Sequence, residues 1–502
     1  MKHNPAQAAL ADLTLGARPD GRTLLTAQWV LAHENDQHIL LKNGEVVIEN
    51  GLVIFTGHGF GGDVARRIDF GASLISPGLI DLDALSDLDT TILGIDHFPS
   101  WKKGRVWPLS YVENGPYEMY SAEELVFQKR FAFGQLLLNG ITTAAPIASL
   151  FYREWGETVA EFDAAADAAG ELGLRVFLSP AYRSGGMVLH QPGDMRAHFD
   201  EPRGFAGLDA ASDYIARQAG RYDGLIQGLF APDRVETATA GLIRETMKRA
   251  EELDVQVRLH MAQGVMEVET VRALYGSTAP VWLAKEGLLS SRLMAPHATE
   301  ATEEDLALYA EHGVSVIHCP LVSGRGGGSL NSFSKLRDLG INIAMGTDTT
   351  PPDMLMNLLV GFITCRMNDG GPERIMTRDL FDAATLGGAK ALNRPDLGRL
   401  MKGARADIAV FGLDDVMMAP SIDPITTLVT GGSGKVTRAV FVDGRLSMRF
   451  GEVAGIDMQA ARDEAQAQFD RLVAQYPART WGHPPVSEIF PPSYVMRENV
   501  DG

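Results

Sequence analysis

LMAPHATEATEEDLALYAEHGVSVIHCPLVSGRGGGSLNSFSKLRDLGINIAMGTD, residues 293–348, decides the fold class. Three apolar runs, 293–300, 314–321 and 341–348, stand about 20–30 residues apart. The runs are largely uninterrupted rather than alternating, as in strands buried on both faces. Between the first two, 303–312 has the pattern of a helix. The same unit recurs upstream, with apolar runs at 74–83, 140–148, 175–182, 225–232 and 255–262 and helical patterns at 160–172 and 242–253. Eight strand–helix units predict an α/β fold, a (β/α)8 barrel, because an open doubly wound sheet usually has about six strands.

The text on either side of these units is different. From 24 to 76, short β-like runs are split by Asn43-Gly44 and Asn50-Gly51, both hairpin signals. A similar patch follows the barrel, at 407–411 and 436–448, with Asp443-Gly444 as its turn. Neither patch can bury a core alone, so the two ends are expected to form one composite β-sandwich. The expected organisation is therefore a tail and half-sandwich over 1–73 and a catalytic barrel over 74–400. The second half-sandwich covers 401–456, and a C-terminal helix with an extended arm covers 457–502. Within the barrel, 84–121 is a lid insertion rich in aromatics that ends at a capping box, Ser121 with Glu124. The Pro-rich arm, 484–492, fits neither core and is expected to contact a neighbouring subunit in a homo-oligomer.

Composition narrows the function. The chain has 502 residues, 45% apolar and 22% charged, which is ordinary for a globular protein. Its net charge of 45 − 64 = −19 disfavours nucleic acid and anionic membrane as partners. No long apolar span or signal-peptide core is present, so a cytoplasmic location is expected. Two cysteines, Cys319 and Cys365, are too few for a disulfide scaffold or a four-cysteine metal site. A small-molecule substrate remains.

Position singles out the candidate residues. His260, His297, His318 and Asp348 lie at the ends of the fifth to eighth strands. Barrel geometry brings such ends together on one face, where a lone strand-end histidine would be ordinary packing. Imidazole plus carboxylate suits a divalent ion such as Zn2+, which makes a bound water acidic enough to attack at neutral pH. Asp348 is also placed to accept that water's proton.

With these pieces in view, residues 24–450 resemble the amidohydrolase superfamily, in particular its cytosine and guanine deaminases and triazine chlorohydrolases. The matching pieces are Ile75-Ser-Pro-Gly-Leu-Ile-Asp81, His260-Met-Ala-Gln263, His297, His318-Cys-Pro320 and Gly346-Thr-Asp348. They continue with Ala383-Ala-Thr-Leu-Gly-Gly-Ala389 and Gly403-Ala-Arg-Ala-Asp-Ile-Ala409. The resemblance implies the barrel with its sandwich, and metal-assisted hydrolysis of C–N or C–Cl bonds. Two departures stand out. Where the family has His-x-His after the Pro-Gly-Leu-Ile motif, this chain has Asp83 and Leu85, and leucine binds no metal. Where the deaminases have a proton-shuttling glutamate, it has Gln263, which cannot carry a proton. No lysine ends the fourth strand, so a carbamate-bridged two-metal centre is not expected. The implied site holds one divalent ion, Zn2+ first, with iron, manganese or cobalt as alternatives. Its ligands are His260, Asp348, His297 and Asp83.

The expected reaction is hydrolysis of a C–N bond in an amide, urea, amidine or ring amine of a small, partly aromatic molecule. Asp348 takes the proton, His297 and His318 steady the oxyanion, and Gln263 orients the substrate. Loss of the shuttle tilts the expectation from ring deamination toward amide or urea hydrolysis, with an aminoheterocycle deaminase or chlorohydrolase as an alternative. Substrate contacts are expected from His97, Trp101 and Trp107 in the lid, Tyr182 after the third strand, and Arg325 in the glycine-rich loop 324–329. Asp87 and Asp89 rank below Asp83 as oxygen ligands, and Cys319 is expected to pack on the side opposite His318. The competing expectations are a metal-free binding or scaffold protein that has lost catalysis, and lyase or isomerase chemistry in the same pocket.

Overall fold

A computed structural model describes residues 5–88, 91, 107–115, 119–147, 157–330 and 332–497. The eight expected barrel strands form. They are β1 (Leu79–Leu85), β2 (Ile141–Ile147), β3 (Arg175–Phe177), β4 (Ile226–Gln227), β5 (Val257–Arg258), β6 (Leu293–Pro296), β7 (Ser315–His318) and β8 (Ile343–Met345). Neighbours pair in parallel within two half-barrels, β1 to β4 and β5 to β8. Backbone bonds close the seams: the Arg258 amide donates to the Phe230 carbonyl (2.8 Å), and the Asp348 amide to that of Asp83 (2.8 Å).

One apolar run divides in two. Residues 74–83 read as a single strand, but Ser73–Pro77 joins a sandwich sheet and the barrel strand begins at Leu79. The break falls at Gly78, where a Cβ would stand 2.1 Å from the Thr142 side chain. In β1 the register then shifts between Asp81 and Ala84, so Leu82 and Asp83 together oppose the single residue Ala145 on β2. Leu82 packs with Met294, Ile317 and Ala344 from across the barrel, whereas Ala84 packs with the outer layer of helices. Such a bulge re-aims a side chain next to a site, here Asp83.

The sandwich is composite. A four-stranded sheet (Leu52–Gly57, Glu45–Glu49, Thr23–Thr26, Arg66–Asp69) lies against a seven-stranded one. The larger sheet joins both ends of the chain, with Ser76 opposite Ala409 in its central antiparallel pair. Leu25, Val46 and Ile68 share a core with Ile75, Ile408 and Phe441. A buried pair ties sandwich to barrel: Arg175 on β3 donates to both Asp407 oxygens, at 2.8 and 3.0 Å. This accounts for the aspartate of the Gly403–Ala409 motif.

The capping box at Ser121 and Glu124 forms and opens helix Ala122–Leu138. The start of the arm is anchored within its own chain. Its helical turn Val486–Ile489 packs on its own chain, with Ile489 fully buried among Tyr111, Met119, Leu472 and Tyr476. Helix Met458–Gln475 and the lid together make the apolar cradle that the sequence left unassigned. No helix among the described residues is long and apolar enough to cross a membrane.

Candidate metal centre

Asp83, His260 and His297 meet at the barrel mouth. One donor atom from each lies within 4.8 Å of the others, and all three residues are buried. Asp83 Oδ2 is 3.5 Å from His260 Nε2 and 3.8 Å from His297 Nε2. Asp348 Oδ2 stands 3.4 Å from the same His297 nitrogen. Four strand ends, those of β1, β5, β6 and β8, thus supply the group.

Local backbone geometry serves this convergence. Ala262, His297, Ala298 and Asp348 all have positive φ (54°, 73°, 53° and 44°), a left-handed conformation unfavourable for these residues. Strain of this kind gathers where a site over-determines the backbone. The ring of His260 is oriented from behind, by a 3.0 Å bond from Nδ1 to the Asp233 carbonyl. That bond fixes the ring plane, with Nδ1 donating and Nε2 turned toward Asp83, the orientation a metal ligand requires.

Charge completes the arrangement. Burial would raise the Asp83 carboxyl, but His260, Arg258 and His297 outweigh it and hold the group below the ordinary range. Asp81, two residues earlier, shows the opposite balance. Burial pushes it up to about 6, against bonds from the Thr347 amide (3.0 Å) and hydroxyl (2.5 Å). Asp83 Oδ1 is buried and accepts no hydrogen bond. Two imidazoles, two carboxylates and this orphaned oxygen are the donor chemistry of a single divalent ion.

The other sequence candidates divide clearly. His318 does not join the group. Ile317 and Cys319 belong to the barrel-interior cluster, so alternation turns His318 outward. Its Nε2 lies 3.6 Å from Cys365 Sγ and its ring meets Phe333, which corrects the expected oxyanion role. Burial pulls its pKa down to about 3. Cys319, on the opposite side as expected, places Sγ 3.8 Å from Asp83 Oδ2.

Tyr182 is also corrected: its hydroxyl bonds Thr246 (2.9 Å) and its ring packs on Phe230, in the layer between strands and helices. Gln263 is half-buried with an unpartnered Oε1, and its backbone amide donates to the Glu267 carboxylate (2.8 Å). Arg325 ends a short helix and bonds Thr349 (2.5 Å) and the Thr350 carbonyl (2.9 Å), in the loop that follows Asp348. The Trp107 ring centre lies 4.8 Å from the Arg183 guanidinium and 5.9 Å from that of Arg479. Asp87 is buried, while His97, Trp101 and Asp89 lie outside the described residues.

Two residues escaped the sequence reading. Arg258 lies beside Asp83 from β5, a meeting that only the fold makes. Glu267 is an acid four residues after Gln263, and burial together with the charge of Glu236 pushes it up to about 7. Its spacing in the first turn of a helix was the available signal.

Known proteins agree with this architecture. The model of the amidohydrolase family matches residues 74–447. A 5-methylthioadenosine/S-adenosylhomocysteine deaminase of Desulfitobacterium hafniense is 24% identical over 84% of this chain and 93% of its own. The zinc-bound structure of an adenosine deaminase from Xanthomonas campestris superposes with a TM-score of 0.73 at 21% identity. It covers 90% of this chain and 98% of that one. Atrazine chlorohydrolase from Arthrobacter aurescens, complexed with zinc, gives a TM-score of 0.73 at 24% identity, covering 89% and 99%. The chain belongs to the amidohydrolase family and is a hydrolase acting on carbon–nitrogen bonds.

Proposed function

We propose that this protein is a metal-dependent hydrolase that releases ammonia from an aminopurine-like heterocycle. The observation that carries the reading is the meeting of Asp83, His260 and His297 within 4.8 Å at a barrel mouth, with Asp348 beside them. The deaminase relatives, active by name on methylthioadenosine and S-adenosylhomocysteine, support the substrate class. Asp83, His260, His297 and Asp348 would hold one divalent ion, zinc by the analogy of the two similar structures. Such an ion, when bound, acidifies water enough for attack at neutral pH. Asp348 accepts the proton of the attacking water, and His297, 3.4 Å from it, keeps the carboxylate oriented. Gln263 offers its amide to the ring. The lid, through Trp107, and Arg325 beside the loop after Asp348 are the remaining candidates for substrate contact.

A second reading, hydrolysis of an amide or urea, is favoured by one observation. Gln263 cannot protonate a ring nitrogen, which acyl substrates do not require. Ammonia release from methylthioadenosine, S-adenosylhomocysteine, adenosine and a set of simple amides and ureas separates the two. The purine reading expects turnover on the nucleosides, increased ten-fold or more by Gln263→Glu, in keeping with general acid–base catalysis of about 100-fold upward. Turnover confined to amides or ureas, unaffected by that substitution, would overturn it.

A further inference from the structure

The Asp83 carboxylate divides its two oxygens between different partners. Oδ2 faces His260 and His297, while Oδ1, which accepts no hydrogen bond, has the Arg258 Nη1 at 3.8 Å. Arg258 is 2% exposed and sits two residues before His260 on β5, so the guanidinium and the imidazole flank one carboxylate. The guanidinium is itself fixed. Nη1 donates to the carbonyls of Ala145 (2.5 Å) and Leu82 (3.4 Å), and Nη2 to that of Pro146 (3.2 Å). These acceptors are neutral, so they orient the group without cancelling its charge. The other buried acid of β1, Asp81, is taken up by Thr347.

We infer that Arg258 is the resident counter-cation of Asp83. It compensates the carboxylate that stands where relatives have a histidine, and positions it so that Oδ2 faces the two imidazoles. A buried carboxylate with no cation is strongly unfavourable, and the arginine supplies that cation permanently rather than when an ion arrives. Asp83 and Arg258 therefore form one unit: the carboxylate adds a negative charge and the guanidinium offsets it. Three strands meet in this contact, because Arg258 of β5 reaches the ends of β1 and β2 across the barrel. Arg258 acts through Asp83, as a positioning residue.

The test is thermal unfolding of chelator-stripped and zinc-loaded protein, compared among the parent, Arg258→Met, Arg258→Lys and Arg258→Met combined with Asp83→Asn. Stripped Arg258→Met is expected to melt several degrees below the stripped parent. Adding Asp83→Asn should recover most of that loss, and Arg258→Lys should lose less than Arg258→Met. Zinc should raise the melting temperature of Arg258→Met more than that of the parent, because the ion then supplies the missing charge. If the loss persists unchanged with Asp83→Asn, Arg258 only ties the three carbonyls and the proposal falls. It falls equally if Arg258→Met melts like the parent with and without zinc. Should Arg258→Met fail to fold, recovery of folded protein by Asp83→Asn in the same background supports the pair, and no recovery overturns it. The inference rests on Asp83 belonging to the proposed centre, but the stripped-protein measurements involve no substrate. Absence of ammonia release would leave this result standing, and the reverse also holds.

Discussion

The backbone amide of Asp348 donates to the backbone carbonyl of Asp83 across 2.8 Å, at the seam where the last barrel strand meets the first. One hydrogen bond thus joins the two half-barrels at this seam and ties together the backbones that carry two carboxylates of the candidate centre. Residues far apart in the chain are held in register by the fold rather than by the ion they would share.

Gly346 is the spacer that makes this approach fit. A Cβ there would stand 2.6 Å from the Asp83 Cβ and 2.9 Å from Cys319 Sγ. Gly346→Ala should therefore displace Asp83, weaken zinc binding by ten-fold or more in order of magnitude, and cost about 1–3 kcal/mol of stability. Competition against a fluorescent zinc chelator, with urea unfolding alongside, checks it. Parent-like zinc affinity in the variant would show that Asp83 is not held by this contact.

His318 should make the protein acid-sensitive without serving catalysis. Its folded pKa, lowered by burial to about 3, lies below the ordinary 6.5. The unfolded chain therefore binds a proton first as pH falls. Its contribution to stability is complete above about 6.5 and is lost as pH drops toward 3, at about 1.4 kcal/mol per unit. His318→Leu should reduce the loss of urea stability between roughly pH 7 and roughly pH 5 while keeping kcat within a few-fold. A large drop in kcat with unchanged acid sensitivity would restore His318 to the catalytic group.

The arm should brace the lid. Ile489 is fully buried against Tyr111 and Tyr476, so Ile489→Ala opens a cavity worth about 2–5 kcal/mol in a well-packed site. Hydrogen exchange at 107–115 should accelerate, and KM should rise more than kcat falls. Unchanged exchange in that segment would reduce the arm to a cover.

The barrel was legible because strands buried on both faces leave long apolar runs with helical text between them. The composite sandwich was legible from its Asn-Gly and Asp-Gly turns. Which face each strand-end residue takes was not. His260 and His318 look alike in sequence, each closing an apolar run, yet one faces the mouth and the other faces Cys365. Apolar residues on both sides of a strand hide its parity. The β1 bulge that redirects Asp83, and the cross-barrel reach of Arg258, depend on packing between distant segments. A buried aspartate at position 83 did demand a cation, but its source was visible only in three dimensions. The cradle that receives Ile489 was not legible, because it is assembled from the lid and the C-terminal helix.

Zinc content of the purified protein, parent against His260→Ala, tests the central claim most directly. His260 Nε2 faces Asp83 with its ring held by Asp233, so its loss opens the group while leaving the barrel packing in place. A mononuclear site gives about one equivalent of zinc per chain in the parent. The folded variant should hold almost none, with hydrolysis abolished. A folded His260→Ala protein that retains the parent's zinc, or keeps full activity without it, would contradict the account.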